Sequence, residues 1–168
     1  FAESIAALPD NLKEVRPTIV FGVPRIWEKM YAKVSDKLAA ATGVKAKLAG
    51  WALGVGREAM TYTDRGRPLP GLLGLKYKIA NKLIFSKVKG AMGFDRARVC
   101  ITAAAPISRD VLEFFTGLDI SIKEVYGQSE DTGPATINVP GNTKIGTVGI
   151  KFRGTEVKIA DDDEILLK

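Results

Sequence analysis

The chain has 168 residues, of which 46% are apolar and 8% aromatic, enough to build the core of one domain. Its 25 lysine and arginine residues outnumber its 19 aspartate and glutamate residues, which gives a formal net charge of +6. The sequence contains no histidine, which excludes nucleophile–histidine pairs and histidine-ligated metals within the chain. No apolar stretch is long enough to predict a membrane-spanning helix.

The single cysteine, Cys100, lies in an apolar run and is interpreted as a small core residue. Because one thiol cannot form an internal disulfide, we expect a reducing compartment and hence a cytoplasmic location. The sequence begins at Phe1 without a methionine, and its last residues resemble the middle of a strand. These two features predict an internal fragment of a longer protein.

Positive charge is concentrated in the middle of the chain. Residues 25–98 carry a net charge of +11, whereas the remaining positions carry a net charge of −5. One interpretation is a set of solvated helices with lysine on their outer faces. The other is a basic surface that attracts phosphates or an anionic membrane. Aromatic residues do not alternate with the basic ones, so nucleic acid is not expected as a partner.

Hydrophobic periodicity predicts one strand and several helices in the first part of the chain. A short helix is predicted over 10–16, with Asp10 as its N-cap. Residues 18–23 form an apolar run between two prolines, which is typical of a buried strand. Three further helices are predicted, the last of them ending at Gly90 or Gly93: 25–41, 44–62 and 72–92.

The second part of the chain alternates strand and helix before its pattern changes. Strands are predicted over 97–103 and 120–126, with a helix from Ser108 to Gly117 between them. Such repeats imply right-handed crossovers and a parallel sheet. Short strands separated by turn residues follow, so 134–168 is predicted to be a separate β region. The predicted fold class is α/β, a parallel sheet with covering helices plus a small antiparallel β appendage at the C-terminal end, divided into 1–133 and 134–168.

Two segments that follow predicted strands are candidate ligand-binding sites. The first is 102–106, a threonine, three alanines and a proline at the carboxyl end of the second strand, and ligands of open α/β sheets bind beyond the carboxyl ends of strands. Their small side chains leave the backbone accessible to a flat ligand. The helix that begins after Ser108 presents an N-terminus, which favours anions.

The second candidate segment, 126–133, follows the third strand. Tyr126 offers an aromatic face, and Gly127 permits close approach of the backbone. The Ser129 hydroxyl suits a phosphate oxygen, and Glu130 and Asp131 are hard oxygen ligands of the kind that Mg²⁺ uses with nucleotide phosphates. The alternative is a polar loop in which the acid only caps a helix.

These segments carry a family resemblance over nearly the whole chain. Residues 126–133 resemble the Tyr-Gly-x-Thr/Ser-Glu motif of the adenylate-forming, AMP-binding superfamily. Other segments resemble long-chain fatty acyl-CoA synthetases, in the expected order: 23–29, 106–115 and 154–159. The stretch around the motif, with 140–143 after it, resembles the bubblegum-type branch most closely. The resemblance implies an internal fragment of the large N-terminal domain of such a ligase.

The resemblance also implies a reaction and roles for individual residues. A fatty acid carboxylate attacks the α-phosphorus of ATP, pyrophosphate leaves, and the CoA thiol then displaces AMP. The implied ligands of the chain are therefore ATP or AMP, Mg²⁺, a long-chain fatty acid and CoA. The implied catalytic residues are Ser129 and Glu130, with Glu130 also binding the metal. The implied nucleotide-binding residues are Ala103, Ala104, Ala105, Pro106, Tyr126, Gly127, Gln128 and Ser129, and the implied acyl-channel residues are Phe21, Gly22, Val23 and Pro24.

The chain departs from the family pattern in several places. Glycine is common in the family where this chain has Ala103 and Ala104, and threonine is commoner where it has Ser129. The stretch 148–154 also differs from the usual run. The family's phosphate loop would precede Phe1, and its ribose-binding segment and mobile C-terminal domain would follow Lys168. The chain by itself is therefore expected to be inactive.

Two other classes of function remain open from the sequence. The first is a stand-alone nucleotide-binding module without turnover, which would use the same strand-end loop. The second is a module that contacts a membrane surface through the basic helices of 25–92. Self-association into a homo-oligomer is also left open.

Overall fold

The computed structural model describes residues 3–168. Its helices are α1 (Leu8–Val15), α2 (Pro24–Ala39), α3 (Gly43–Thr63), α4 (Gly71–Ala80), α5 (Ser86–Met92) and α6 (Arg109–Gly117). Its strands are β1 (Ile19–Phe21), β2 (Val99–Thr102), β3 (Ile122–Gln128), β4 (Gly133–Ile137), β5 (Ile150–Lys151), β6 (Val157–Ile159) and β7 (Ile165–Leu167).

The first three strands form the parallel part of one sheet, whose strand order is β1-β2-β3-β4-β5. Strands β1 and β2 pair with Val20 opposite Cys100, and β2 and β3 pair with Cys100 opposite Ile122. The connections between these strands contain the helices α2 to α6, as parallel crossovers require. The predicted α/β class and the parallel pairing of the three strands are confirmed. The expected burial of the first strand is wrong, because Val20 is buried whereas Ile19 and Phe21, on the other face of β1, are exposed.

The C-terminal β region is smaller than the sequence predicted. Strand β4 pairs antiparallel with β3, with Tyr126 opposite Thr136, and β5 pairs with β4, so both extend the main sheet. Only β6 and β7 form a separate antiparallel pair. The expectation of a wholly separate region over 134–168 is wrong in this respect, because the turn residues at its start return the chain along β3. As a domain boundary, the division between 1–133 and 134–168 stays a prediction.

The main core lies between helices α2 and α6 and the parallel strands. Trp27 is fully buried there, and its indole nitrogen donates a hydrogen bond to the carbonyl oxygen of Gly22 at 2.9 Å. The Trp27 ring packs edge-on against Phe94 and Phe115, with centroids 5.9 and 5.6 Å away. A second cluster joins α3 to α4: Ala52, Val55, Leu73, Ala80 and Phe85.

Two helix predictions need correction. Helix α1 begins at Leu8 with Ala7 as its N-cap, because Pro9 lacks an N–H and therefore suits the first turn. Asp10 is a residue of that first turn, where it pairs with Lys13 at 3.2 Å. The helix predicted over 72–92 is interrupted by a π-helical stretch, Asn81–Phe85, between α4 and α5.

Two predicted helix ends are confirmed. Gly93 ends α5 in the left-handed conformation, with φ at 77°, which glycine adopts without strain. Ser108 is the N-cap residue of α6, which runs to Gly117 as expected. These two helix ends fix where β2 begins and where α6 begins, and therefore where residues 103–106 of the candidate segment between them lie.

Candidate functional site

The two candidate segments leave the sheet at the same edge. Strands β2 and β3 are parallel neighbours, and Thr102 at the end of β2 pairs with Glu124 of β3. Residues 103–106 follow directly, and 126–130 continue from the same end of β3. Ala103 and Tyr126 are half-buried, whereas the other six predicted nucleotide contacts are exposed: Ala104, Ala105, Pro106, Gly127, Gln128 and Ser129.

The backbone at Ala104 adopts a conformation that favours glycine, the residue that the family resemblance predicts at this position. Ala104 has φ at 73°, in the left-handed region where a Cβ atom crowds the following carbonyl. The strand-to-helix turn therefore imposes a conformation that glycine adopts more easily than alanine. The departure from the family pattern is accommodated at a cost in backbone strain.

We expect Ala104→Gly to stabilise the chain. Removing the left-handed strain of about 1–2 kcal/mol outweighs the greater backbone entropy of glycine, about 0.5–1 kcal/mol. Denaturant unfolding should show a small gain in the free energy of unfolding. Ala105→Gly is the matched control, because φ at Ala105 is not positive and only the entropy loss applies. Equal effects of the two substitutions would contradict this explanation.

The turn after β3 depends on a close approach of two backbones at Gly127. The ladder between β3 and β4 shifts register at Tyr126 and Gly127. A Cβ atom at Gly127 would lie 1.9 Å from the carbonyl oxygen of Gly133, well inside contact distance. Gly127 is therefore required by the bulge that returns the chain toward β4.

Gly127→Ala should destabilise the chain by about 1–3 kcal/mol, as overpacking of a tight contact typically does. The control is Gly54→Ala in α3, where an added Cβ atom meets nothing within 4 Å. That control should instead stabilise the chain by about 0.5–1 kcal/mol, because alanine is the better helix former. Thermal melts of both variants measure the difference, and a neutral Gly127→Ala would contradict the close approach.

The loop after Gly127 is a short 3₁₀ turn, Ser129–Asp131, closed by a capping box. The Asp131 carboxylate oxygen Oδ1 accepts hydrogen bonds from the backbone N–H groups of Gln128 at 3.2 Å and Gly133 at 3.4 Å. The cap therefore belongs to Asp131 and not to Glu130. Sequence reasoning missed this role, although the three-residue spacing from Gln128 to Asp131 is the spacing of a capping box.

The side chains of this turn have the donor chemistry that a nucleotide-bound Mg²⁺ needs. Within residues 3–168 no group of three or more acidic, cysteine or histidine side chains could by itself hold a metal. Mg²⁺, however, commonly takes one or two protein carboxylates and completes its octahedron with water and phosphate oxygens. Glu130 is exposed, and the Asp131 oxygen Oδ2 is buried without a hydrogen-bond partner among the described residues. These two carboxylates fit the ion.

Three polar side chains beneath the loops were given no role from the sequence, although Thr102 is the first residue of the segment 102–106. Thr102 is 2% exposed and Thr136 is 8% exposed, and neither hydroxyl has a hydrogen-bond partner within the described part of the chain. Glu124 is half-buried and accepts a hydrogen bond from the Gly146 N–H at 2.8 Å. The available signal was a polar residue at an inward-facing position of an apolar strand.

Burial raises the pKa of Glu124 above its ordinary value, against the opposing effect of backbone hydrogen bonds. Between the ordinary and the raised pKa, the folded chain binds more protons than the unfolded chain, so its stability should fall as pH rises through that window. Glu124→Gln should remove the part of the pH dependence of stability that comes from this carboxyl group. Denaturant unfolding at a series of acidic pH values should therefore show a smaller fall for the variant, and a steeper fall would contradict the sign.

The predicted acyl-channel residues lie at the end of β1, the outer strand of the parallel pairings. Phe21 and Val23 are exposed, whereas Gly22 and Pro24 are buried against the Trp27 core. The Gly22 N–H donates a hydrogen bond to the Ile101 carbonyl oxygen at 3.0 Å, which holds this segment to β2. The role of these four residues in an acyl channel stays a prediction.

Two cavities lie away from the strand-end loops. One of about 350 Å³ is lined by residues such as Asp64, Lys89, Cys100 and Lys123. The other, of about 930 Å³, is a mostly apolar groove formed by α1, α2 and the end of α5. The predicted nucleotide contacts line neither of them.

Comparison with known proteins agrees with the motif at the strand ends. Residues 2–167 match the family described as AMP-binding enzyme. The chain is 45% identical over 158 residues to "Long-chain-fatty-acid--CoA ligase ACSBG2" of Xenopus laevis, covering 94% of the chain and 21% of that protein. Proteins of the same name from Gallus gallus and Homo sapiens are each 38% identical, over 93% and 84% of the chain and 20% and 21% of their own lengths. The chain thus spans about a fifth of these relatives. With a family match over almost its entire length, the chain belongs to the AMP-binding enzymes.

Proposed function

We propose that the chain is a central part of a longer AMP-forming fatty acid–CoA ligase and contributes part of its nucleotide site. The observation that carries this proposal is the common sheet edge from which 103–106 and 126–130 emerge. The relatives that match most of the chain are named as long-chain fatty acid–CoA ligases, which supports the same activity here.

Each strand-end loop has a distinct task in this proposal. The segment 103–106 borders the adenine, and the half-buried ring of Tyr126 stacks on it. The exposed backbone of Gly127 and Gln128 and the hydroxyl of Ser129 run past the α-phosphate and the acyl carboxylate. A small flat binding edge with few large side chains suits a purine.

Charge neutralisation and positioning are the main chemical contributions of this site. Glu130, with Asp131 beside it, would hold Mg²⁺, which when bound neutralises phosphate charge. The chain's own residues orient the carboxylate and the phosphate for an in-line attack and need no side-chain proton transfer. A site without histidine is therefore compatible with acyl-adenylate formation.

The acyl chain is proposed to lie near the end of β1. Phe21 and Val23 present apolar surface at the same sheet edge to which β2 brings Ala103. A long-chain fatty acid is the proposed substrate class, and CoA is the proposed acyl acceptor. A cytoplasmic location and a homo-oligomeric state remain predictions from the sequence.

The test compares the longer protein with the 168-residue chain. With ATP, Mg²⁺, CoA and palmitate, the longer protein should release pyrophosphate and form palmitoyl-CoA, whereas the chain alone should form none. Nucleotide binding by both proteins without turnover by either would overturn the ligase proposal in favour of a binding module. Turnover by the purified chain alone would show that the reaction needs no further segments.

A further inference from the structure

An exposed stripe of large apolar side chains runs along α4 and into the π-helical stretch. Its members follow one another at intervals of three or four residues. They are Leu72 (70% exposed), Leu75 (57%), Ile79 (44%) and Leu83 (37%). At 100° per residue the three residues in α4, Leu72, Leu75 and Ile79, fall within a sector of about 60°, and Leu83 follows four residues later in the π-helical stretch. Contiguous exposed apolar surface of this kind commonly marks an interaction site.

The stripe is not part of the chain's own core. The opposite side of the same helix supplies the buried residues Leu73, Ala80 and Phe85, which pack with Ala52 and Val55 of α3. The helix is therefore apolar on two sides, one buried and one exposed. The buried side accounts for its attachment to α3, and it leaves the exposed side without a structural role in the described residues.

Lysines border the stripe on both sides. Within α4, Lys76 lies on one side and Lys78 on the other at 100° per residue, and Lys82 precedes Leu83 in the π-helical stretch. All three are exposed, and none forms an ion pair within residues 3–168. The segment 65–94 contains seven basic residues and no acidic residue. Apolar side chains between two rows of lysine are the pattern of a helix that lies in a membrane interface.

We infer that this face of α4 docks on the surface of an anionic phospholipid bilayer. The stripe Leu72–Leu83 would enter the headgroup region, and the flanking lysines would lie over the anionic headgroups. No helix in the described part of the chain is long and apolar enough to cross a membrane. The proposed nucleotide site does not use this face. The sequence left a membrane contact open for the whole basic region 25–92, and the inference assigns that contact to one face of α4.

The charge of the face favours lipid over protein as its partner. A symmetric pair of chains would bring two rows of lysine together without intervening carboxylates, which opposes self-association. The centres of protein–protein interfaces are also depleted in lysine. A bilayer that contains phosphatidylserine supplies an apolar layer for the leucine and isoleucine side chains and a dense negative charge for the lysines.

Sedimentation of the longer ligase with vesicles, run beside the 168-residue chain, tests the inference. Vesicle binding by the chain but not by the longer ligase would show that other segments cover this face, and would overturn the inference. Vesicles of phosphatidylcholine with roughly one third phosphatidylserine should bind the chain much more tightly than vesicles of phosphatidylcholine alone, and salt should weaken that binding. The triple variant Lys76→Gln, Lys78→Gln, Lys82→Gln should bind on the order of 100-fold more weakly, at about fivefold for each lysine. The double variant Leu75→Ser, Ile79→Ser should lose about tenfold or more.

Matched variants remove the same chemistry elsewhere on the surface. Lys151→Gln, Lys158→Gln, Lys168→Gln removes three exposed lysines outside the helical region, and Val15→Ser, Ile159→Ser replaces two exposed apolar residues. Both controls should bind vesicles like the parent chain, and thermal melts should show that all four variants fold. Absence of vesicle binding, equal binding to neutral vesicles, or equal losses in the control variants would each overturn the inference. The inference would also be overturned if the chain formed an oligomer that the double variant Leu75→Ser, Ile79→Ser disrupts and did not bind vesicles.

Discussion

Replacing Glu130 by glutamine in the longer ligase should reduce the rate of pyrophosphate release by about 100- to 1,000-fold. Glutamine keeps the size of the side chain and removes the charge that would hold Mg²⁺ against the phosphates. Because Glu130 is exposed and the turn is capped by Asp131, the protein should stay folded. The measurement is pyrophosphate release across a Mg²⁺ titration, with a thermal melt of the same preparation.

Two further variants separate the metal role from other effects of a lost carboxylate. Glu164→Gln removes an exposed acid next to β7, far along the chain, and should leave pyrophosphate release unchanged. Asp131→Asn changes the residue that caps the turn, so it should lower the melting temperature as well. A Glu130→Gln protein that melts early and turns over normally would move Glu130 out of the site.

Lys123→Met should destabilise the chain by about 3–5 kcal/mol, the cost of leaving one member of a buried ion pair alone. Lys123 is 6% exposed, and its ammonium group donates hydrogen bonds to Asp64 at 3.0 Å, Ser121 at 2.7 Å and Thr143 at 2.5 Å. Each of the three N–H groups of the Lys123 ammonium therefore has an acceptor, and the Asp64 carboxylate balances its charge. Methionine fills the volume and leaves the Asp64 carboxylate, whose side chain is 12% exposed, with the Ser121 hydroxyl as its side-chain partner among the described residues.

Denaturant unfolding measures the loss. The control is Lys158→Met in β6, an exposed lysine whose replacement should change the free energy of unfolding by less than about 0.5 kcal/mol. The effect of Lys123→Met matters for the site because this cluster ties the end of α3 and the loop at Thr143 to β3, the strand that carries Tyr126. A loss as small as that of Lys158→Met would show that the cluster does not hold β3 in place.

Local pattern was sufficient for the parallel part of the fold. The apolar runs at Ile19–Phe21 and Val99–Thr102 are bounded by helices, and a parallel strand is the simplest structure with that pattern. The pattern did not predict that β1 is buried at Val20 alone, with Ile19 and Phe21 exposed. Pairings across a short turn were harder to predict. The antiparallel return of β4 along β3 depends on a bulge at Gly127 and a cap from Asp131, which periodicity does not report.

The site was predicted where a motif concentrates functional side chains in sequence, as in 126–130. The buried hydroxyls of Thr102 and Thr136 were given no role, because each belongs to a single polar residue in a strand, and whether it has a hydrogen-bond partner depends on tertiary contacts. The buried pair of Lys123 and Asp64 was missed for the same reason, since the two residues come together through tertiary contacts. The strain at Ala104 was visible only as a departure from the family's glycine.

The most direct test of the account is photolabelling of the longer ligase with an azido analogue of ATP. The label should map, within this chain, to peptides that contain 103–106 and 126–130, and excess ATP should prevent it. Labelling that ATP prevents but that falls on other peptides of the chain, with both strand-end segments unmodified, would contradict a nucleotide site at this sheet edge.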